Sequence, residues 1–381
     1  MKKIFVSEPY LDHQDTRNIL SCIKTGFVTS GSYIKKFEKE IINFTKIRNC
    51  VVCVNGTSAL QIALRVLGVK ENDEVIAPSM TFVATINSII YNNASPIFMD
   101  CDKYLNLDIQ KTIKFLRTNT YKLKGETFNK KTKKRIKAVI VAHMYGNLID
   151  IKKFKKICKL MNIKLIEDAA ESLGSFYNTG QHSGSIGDIG CFSFNGNKII
   201  TSAGGGAIVS KNKNFVDKAR KLINQSRSDE IEYIHEELGY NFRISNIHSA
   251  LGFSQMNKLS RFIKIKKKIY EIYNKGLEGK KNFELIKNNK FSNSNNWINI
   301  IKIKNSKINK KKILNFLINN NIEARPIWKP IHQQNYCKKF QTYEIKMAKY
   351  MHSRCFCLPS SVNLKKTEAN KIINLLNRYE N

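Results

Sequence analysis

The sequence predicts an α/β protein, with a mostly parallel central sheet in a large domain and a smaller C-terminal α/β domain. Three observations carry this. From about residue 50 to 210, short apolar β-branched runs alternate with segments of helical period, the pattern of helices packed on a parallel sheet. From about residue 250 a long helical stretch leads into a second, shorter α/β series. The chain has 381 residues, 42% of them hydrophobic, enough for one large core or two ordinary ones. The predicted division is 1–248 for the large domain and 249–381 for the smaller one.

In chain order, the strand candidates are CVVCVN (50–55), EVIAPSM (74–80), SPIFMD (95–100), AVIVAHMY (138–145), KLIEDA (164–169), GCFSFN (190–195) and GAIVS (206–210). Each is short, apolar and rich in strand-forming residues. Apolar residues at helical spacing lie between several of them. SALQIALRVLGV (58–69) follows Thr57, a good cap, and TINSIIYNN (85–93) and DIKKFKKICKLMN (150–162) repeat the pattern. Residues 121–137, YKLKGETFNKKTKKRIK, read as a polar excursion, a hairpin turning at Asn129–Thr132. Beyond 250, SALGFSQMNKLSRFIKIKKKIYEIYNKGLEG is helical. It leads to WINIIKI (297–303), a KKKILNFLINNN helix and a final KKTEANKIINLLNRY helix.

Composition narrows the class. No apolar run is long enough to cross a bilayer. The start, MKKIFVSEPYLDHQD, has no apolar signal core, so a cytoplasmic protein is expected, with no membrane insertion. Nine cysteines are scattered through the chain. Cys50 and Cys53 enclose Val51 and Val52, which reads as a strand rather than a redox or zinc turn, and no second Cys or His pair stands nearby at metal spacing. Neither disulfides nor a metal are expected. The net charge is +35, from 65 Lys and Arg against 30 Asp and Glu, so a nucleic-acid-binding protein is one alternative. The lysines nevertheless occur in many short groups, such as KKFEKE, NKKTKKRIK and KINKKK, on polar helix faces and in turns. That favours a solvated basic surface and no nucleic-acid partner. A positive field would steer a small anionic substrate.

Ligands of open parallel sheets bind beyond the carboxyl ends of the strands. Gly56-Thr57-Ser58 follow one strand, Thr81-Phe82 another, Asp168 ends a third and Ser193 a fourth, with Lys198 a few residues past it. A lysine in a partly dehydrated site loses its proton more readily and can attack a carbonyl. Alone, in so lysine-rich a chain, Lys198 reads as well as surface. Ser193 stands where it could donate to a phosphate, and Gly204-Gly205-Gly206 permits close backbone approach. NGTSAL (55–60) opens a helix whose first amides are unpaired, which suits a phosphate or is an ordinary capped helix. Asp168, at the end of a very apolar strand, needs a partner. A protonated pyridine nitrogen is one; capping the next turn is the other reading. Together these residues supply a Schiff-base lysine, a phosphate cup and a pyridinium counter-ion, the needs of pyridoxal 5'-phosphate, and Phe82 could stack on its ring. GxGxxG, the P-loop and HExxH are absent, which removes the main support for dinucleotide, nucleoside triphosphate and zinc-protease readings.

The chain resembles the nucleotide-sugar aminotransferases of the DegT/DnrJ/StrS family nearly end to end. The resemblance is carried by EPYL (8–11), GFVTSGSYIKKFE (26–38), VNGTSAL (54–60), APSMTFVAT (77–85), AHMYGN (142–147), IEDAAESLGS (166–175), GDIGCFSFNGNKIITSAGGGA (187–207), GYNFRISNIHSALG (239–252), RPIWKPIH (325–332) and CLPSSVNL (357–364). It implies the fold type I of pyridoxal phosphate enzymes, as in aspartate aminotransferase. It further implies that Lys198 carries the cofactor and then shuttles a proton between cofactor and substrate carbons. By the same likeness, Asp168 pairs with the pyridine nitrogen, Phe82 covers the ring, and Gly56, Thr57, Ser58 and Ser193 hold the phosphate. Glu171 stands where many relatives have Gln reaching toward the ring hydroxyl. Asn241 and Arg243 would reach into a neighbouring subunit's site, which makes a homodimer with shared active sites part of the mechanism. Relatives with His in place of the lysine are dehydratases, so Lys198 indicates the aminotransferase branch.

SFNGNKIITSAGGGA, EDAAESLGS, SNNW (294–297) and RPIWKPIH look most like the LegC-type enzymes of legionaminic acid and bacillosamine synthesis. That implies amination at C4 of a nucleotide-linked 4-keto-6-deoxy-2-acetamido-hexose, with glutamate as donor. Trp328 and His332 are then candidates to line the sugar pocket, and His143 reads as support for the fold. A perosamine-type enzyme acting on a GDP-linked keto sugar is the alternative.

Overall fold

The structure, a computed structural model, describes residues 3–229 and 231–379. The alternating runs form one eight-stranded sheet. Its strands are β1 (Asn49–Cys53), β2 (Glu74–Pro78), β3 (Ser95–Met99), β4 (Ile136–Ala142), β5 (Lys164–Asp168), β6 (Ile189–Ser193) and β7 (Gly206–Ser210), in the order β1-β7-β6-β5-β4-β2-β3, with Thr342–Tyr343 added beside β3. Every pairing from β6 to Thr342–Tyr343 is parallel. Only β7 runs against its neighbours β1 and β6. The carboxyl ends of β1, β2, β4, β5 and β6 therefore share one edge.

Both faces of this sheet are covered. Val51, Cys53 and Ile208 pack into one apolar cluster, while Cys50, Val52 and Val209 pack into another on the opposite face. Alternation with a period of two, apolar on both sides, is what continuous β-branched runs such as AVIVA encode. It also sends the Cys50 and Cys53 thiols to opposite faces. All nine cysteines are buried.

The excursion at 121–137 differs in detail from the sequence reading. Strands Thr120–Leu123 and Glu126–Asn129 do pair, but their turn is Lys124-Gly125, not Asn129–Thr132. Both residues have left-handed backbones, φ 50° and 80°, as a two-residue hairpin requires, and glycine makes that conformation cheap. A second reversal, closed by Lys133 N–H on Asn129 O at 2.9 Å, returns the chain to β4.

A second sheet is antiparallel, with Phe283–Leu285, Asn299–Ile303, Cys355–Leu358 and Arg325–Pro326 in that order. Helices Leu259–Leu277 and Lys366–Arg378 close its core through Ile269, Tyr273, Ile372 and Leu376. Helix Asn246–Met256 packs on helices His13–Thr25 and Ser32–Thr45. Among the described residues, no helix is long and apolar enough to cross a membrane.

Candidate active site

A cavity of about 340 Å³ opens at the shared carboxyl edge of the strands, with Gly56, Asp168, Ser193 and Lys198 on its walls. Lys198 lies in the turn that leaves β6. Its N–H donates to Asn195 O at 3.0 Å. The turn is pinned from outside, because Asn197 O accepts from the Trp297 indole N–H (2.7 Å) and from Ser7 Oγ (2.8 Å). Ile199 and Ile200 then enter the core. The Lys198 side chain is only 11% exposed; its Nζ stands 3.7 Å from Glu171 Oε1 and 4.1 Å from the centre of the Trp297 ring. An ammonium against an indole face is attracted by the ring's negative quadrupole.

Two carboxylates face this lysine from β5 and the turn after it. Asp168 Oδ2 accepts from Thr85 Oγ1 (2.7 Å) and Oδ1 from Ala170 N–H (3.2 Å). Burial pushes its acid up, against the Thr85 and Ala170 bonds and the charge of Lys198. Glu171 Oε2 accepts from Tyr145 N–H at 2.6 Å. Burial pushes Glu171 up to about 7, with Lys198 and the Tyr145 N–H opposing and Asp168 assisting. Each of these acids is short of the compensation a buried carboxylate needs, so the cavity favours a ligand bearing positive charge beside them.

His143 also borders the cavity, yet both ring nitrogens are occupied. Nε2 meets Glu167 Oε2 at 2.8 Å, and Nδ1 accepts from Ile149 N–H at 3.3 Å, which assigns the Nε2–H tautomer. Burial alone would raise the Glu167 acid. His143 and the N–H groups of Gly184 and Gly187 hold it below its usual value instead. His143 thus braces β4 against β5.

Beside Lys198 and Glu171 stands an aromatic wall. Trp297 and Tyr145 stack at 6.1 Å, Tyr145 and Trp328 at 5.0 Å, and Trp328 meets Phe82 at 5.3 Å with tilted planes. Tyr145 has a left-handed backbone, φ 54°, an uncommon state for a bulky residue. Sequence reasoning singles out neither Tyr145 nor Thr85, and takes Trp297 only as part of the SNNW and WINIIKI stretches. One signal was available for Trp297: the chain has two tryptophans, and both line this cavity.

The cup for an anion forms where β1 gives way to helix Gly56–Val66. Asn55 caps that helix by accepting from Ser58 N–H at 2.7 Å, while the N–H groups of Gly56 and Thr57 precede the helix's own hydrogen bonds. A Cβ on Gly56 would fall 2.8 Å from Ser193 Cβ and 3.1 Å from Ser193 Oγ. Glycine is therefore what leaves a notch between the helix start and that hydroxyl. Gly206 serves the same corner, since a Cβ there would lie 2.5 Å from the Asn55 carbonyl.

Gly56, Thr57, Phe82, Asp168, Glu171, Ser193, Lys198 and Trp328 all line the cavity. Ser58 is buried in the first helical turn behind it. His332 is not on its wall; its Nδ1 is 2.5 Å from Ser79 Oγ, and its ring lies beside Phe98. Asn241 and Arg243 are also absent from it. They are exposed, on a segment bridged to Asn224 and to Cys53 of β1. A roomier groove of about 460 Å³ among Lys103, Lys280, Lys287 and Tyr350 holds none of the residues singled out from the sequence.

Pyridoxal phosphate fits this donor set. The notch of Gly56, Thr57 and Ser193 suits a phosphate, the under-compensated Asp168 carboxylate suits a ring cation, and the Lys198 amine suits a carbonyl carbon.

Residues 9–377 match the DegT/DnrJ/EryC1/StrS aminotransferase family. The chain is 32% identical to a GDP-perosamine synthase of Vibrio cholerae, over 99% of each chain. It is 31% identical to the GDP-perosamine synthase of Escherichia coli O157:H7, over 100% of this chain and 99% of that one. Among solved structures, Helicobacter pylori PseC, an aminotransferase involved in the biosynthesis of pseudoaminic acid, superposes with a TM-score of 0.89 at 25% identity, over 98% of both chains.

Proposed function

The chain belongs to the DegT/DnrJ/EryC1/StrS aminotransferase family, and on that premise we propose that it moves an amino group from glutamate to C4 of a nucleotide-linked 4-keto-6-deoxy-hexose. It is a pyridoxal phosphate-dependent aminotransferase of type I fold. The observation that carries the reading is the convergence of Lys198, Asp168 and the Gly56–Ser193 notch on one cavity.

When bound, pyridoxal phosphate supplies the electron sink that makes a carbon-bound proton labile. The chain's residues do the rest. Lys198 would hold the cofactor, and its amine would take a proton from the donor's α-carbon and deliver one to the sugar's C4. Its Nζ has a proton acceptor at 3.7 Å in Glu171. Asp168, held by Thr85, would face the ring nitrogen and favour its positively charged form. Gly56, Thr57, Ser58 and Ser193 bind the phosphate, and Phe82 covers the ring. Trp297 and Trp328 on the cavity wall, backed by Tyr145 stacked against both, would exclude water from the reacting side.

For the sugar, the reading is a UDP- or GDP-linked 2-acetamido-4-keto sugar, giving a bacillosamine-type 4-amino product for surface glycan or nonulosonic acid synthesis. Its support is the likeness of the SFNGNK, EDAAE and SNNW stretches to LegC-type enzymes. A second reading, GDP-4-keto-6-deoxymannose, is favoured by the likeness to GDP-perosamine synthases. Trp328 is the residue proposed to meet the sugar; His332 would act from behind, through Ser79.

The working unit is proposed to be a cytoplasmic homodimer in which Asn241 and Arg243 complete the partner's site. Their exposure supports this, as do the uncovered apolar side chains of Phe27, Val28 and Leu238. Incubation with glutamate and a panel of UDP- and GDP-linked 4-keto sugars tests the substrate. One member should yield a 4-amino sugar and equimolar 2-oxoglutarate, whereas turnover with none of them contradicts the reading.

A further inference from the structure

Helix Leu259–Leu277 buries a lysine that the chemistry above does not use. Lys266 is 2% exposed, and its Nζ donates to two backbone carbonyls, Trp297 O at 3.0 Å and Ser360 O at 2.6 Å. Burial pushes its amine down to about 7. An amine in so dry a place is costly, and an apolar side chain of the same length would fill the volume without that cost. What an apolar side chain could not do is donate to those carbonyls.

The two carbonyls stand just beyond the paired strands Asn299–Ile303 and Cys355–Leu358, where Asn299 faces Leu358. Asn299 N–H and its side-chain amide both donate to Ser360 Oγ at 2.9 Å. Lys266 closes this end of the ladder from the helix side. The segment it grips carries Trp297. That side chain donates to Asn197 O, one residue before Lys198, and lays its ring 4.1 Å from Lys198 Nζ. A rigid path thus runs from Lys266 through Trp297 to the amine that faces the cavity.

We propose that Lys266 is a positioning residue for the transamination: by holding the segment of Trp297 it fixes the indole against Lys198 and the turn that carries it. The proposal rests on Lys198 being the reacting amine. It predicts a role that melting temperature alone would not reveal, because the effect passes through one side chain.

The test uses the full-length enzyme and the variants Lys266→Met, Trp297→Phe and their combination. Both tryptophans of the chain line the cavity, so acrylamide quenching of cofactor-free protein reports on that wall alone. Lys266→Met should fold, increase quenching, and lower kcat about 10- to 100-fold with KM little changed, the signature of misplaced reacting groups. In the Trp297→Phe background it should lower kcat no further. Full additivity of the two substitutions, or a folded Lys266→Met with wild-type quenching and kcat, overturns the proposal. If Lys266→Met does not fold, the same comparisons are read on Lys266→Gln, whose amide ends one bond short of the Nζ position and so loosens the grip on the two carbonyls while leaving a polar group in the site. Failure of both to fold assigns Lys266 to the fold alone and also overturns the proposal. A wild-type enzyme that carries no cofactor on Lys198 would instead signal failure of the underlying reading.

Discussion

Lys198 is bounded by an indole at 4.1 Å and a carboxylate at 3.7 Å, and the acidity of that carboxylate sets a measurable pH dependence. Glu171 rises from an ordinary 4.5 to about 7 on folding. The folded state thus holds a proton that the unfolded state releases between those values. The contribution of Glu171 to stability is fullest below about pH 4.5 and is lost as pH rises to about 7, about 3 kcal/mol at roughly 1.4 kcal/mol per unit. In calorimetry of cofactor-free protein, the melting temperature of Glu171→Gln relative to the wild type should therefore rise between pH 5 and pH 8, whatever the other titrating groups do to both. An unchanged difference between the two proteins would contradict the shift at Glu171. For Asp168→Asn, the shape and the Thr85 contact survive while the charge is lost. The expected result is retained fold, weaker cofactor retention in dialysis, and kcat lower by roughly 100-fold or more.

At the scale of elements, the site is a set of strand ends, and those were legible. Asp168 and Ser193 close β5 and β6, and Asn55 follows β1 by two residues, because apolar β-branched runs end where polar residues can reach the edge. The helix start at Gly56 was legible for the same reason. Its cap was not: the sequence suggests Thr57, but Asn55 makes the bond. Asn55→Ala should cost about 1 kcal/mol in a denaturant melt. Gly56→Ala should cost cofactor affinity instead, about tenfold or more in a titration, since its Cβ intrudes on Ser193. Equal affinity in Gly56→Ala would show that the notch holds no phosphate. The stacking of the aromatic wall was the illegible part, although Phe82 and Trp328 were named from the sequence. Tyr145, Trp297 and Trp328 come from three distant segments, and their stacking depends on how the second sheet sits against the first. Periodicity carries no information on that. The hairpin turn at Lys124-Gly125 was misplaced because the Asn129–Thr132 stretch holds a reversal of its own.

For the whole molecule the dominant fact is charge. With +35 spread over the surface, a dianionic nucleotide sugar should be drawn in by a long-range field that salt screens. Raising ionic strength from about 0.05 to 0.5 M should lower kcat/KM several-fold while leaving kcat unchanged; a kcat/KM indifferent to salt would assign the charge no part in capture. The central claim concerns one amine. Borohydride reduction of the purified, yellow enzyme, followed by peptide mapping, reads it directly. The account predicts that the visible band disappears and that the pyridoxyl group is found on Lys198 alone, with none in Lys198→Ala. A colourless protein that takes up no cofactor, or a label on another lysine, would contradict it.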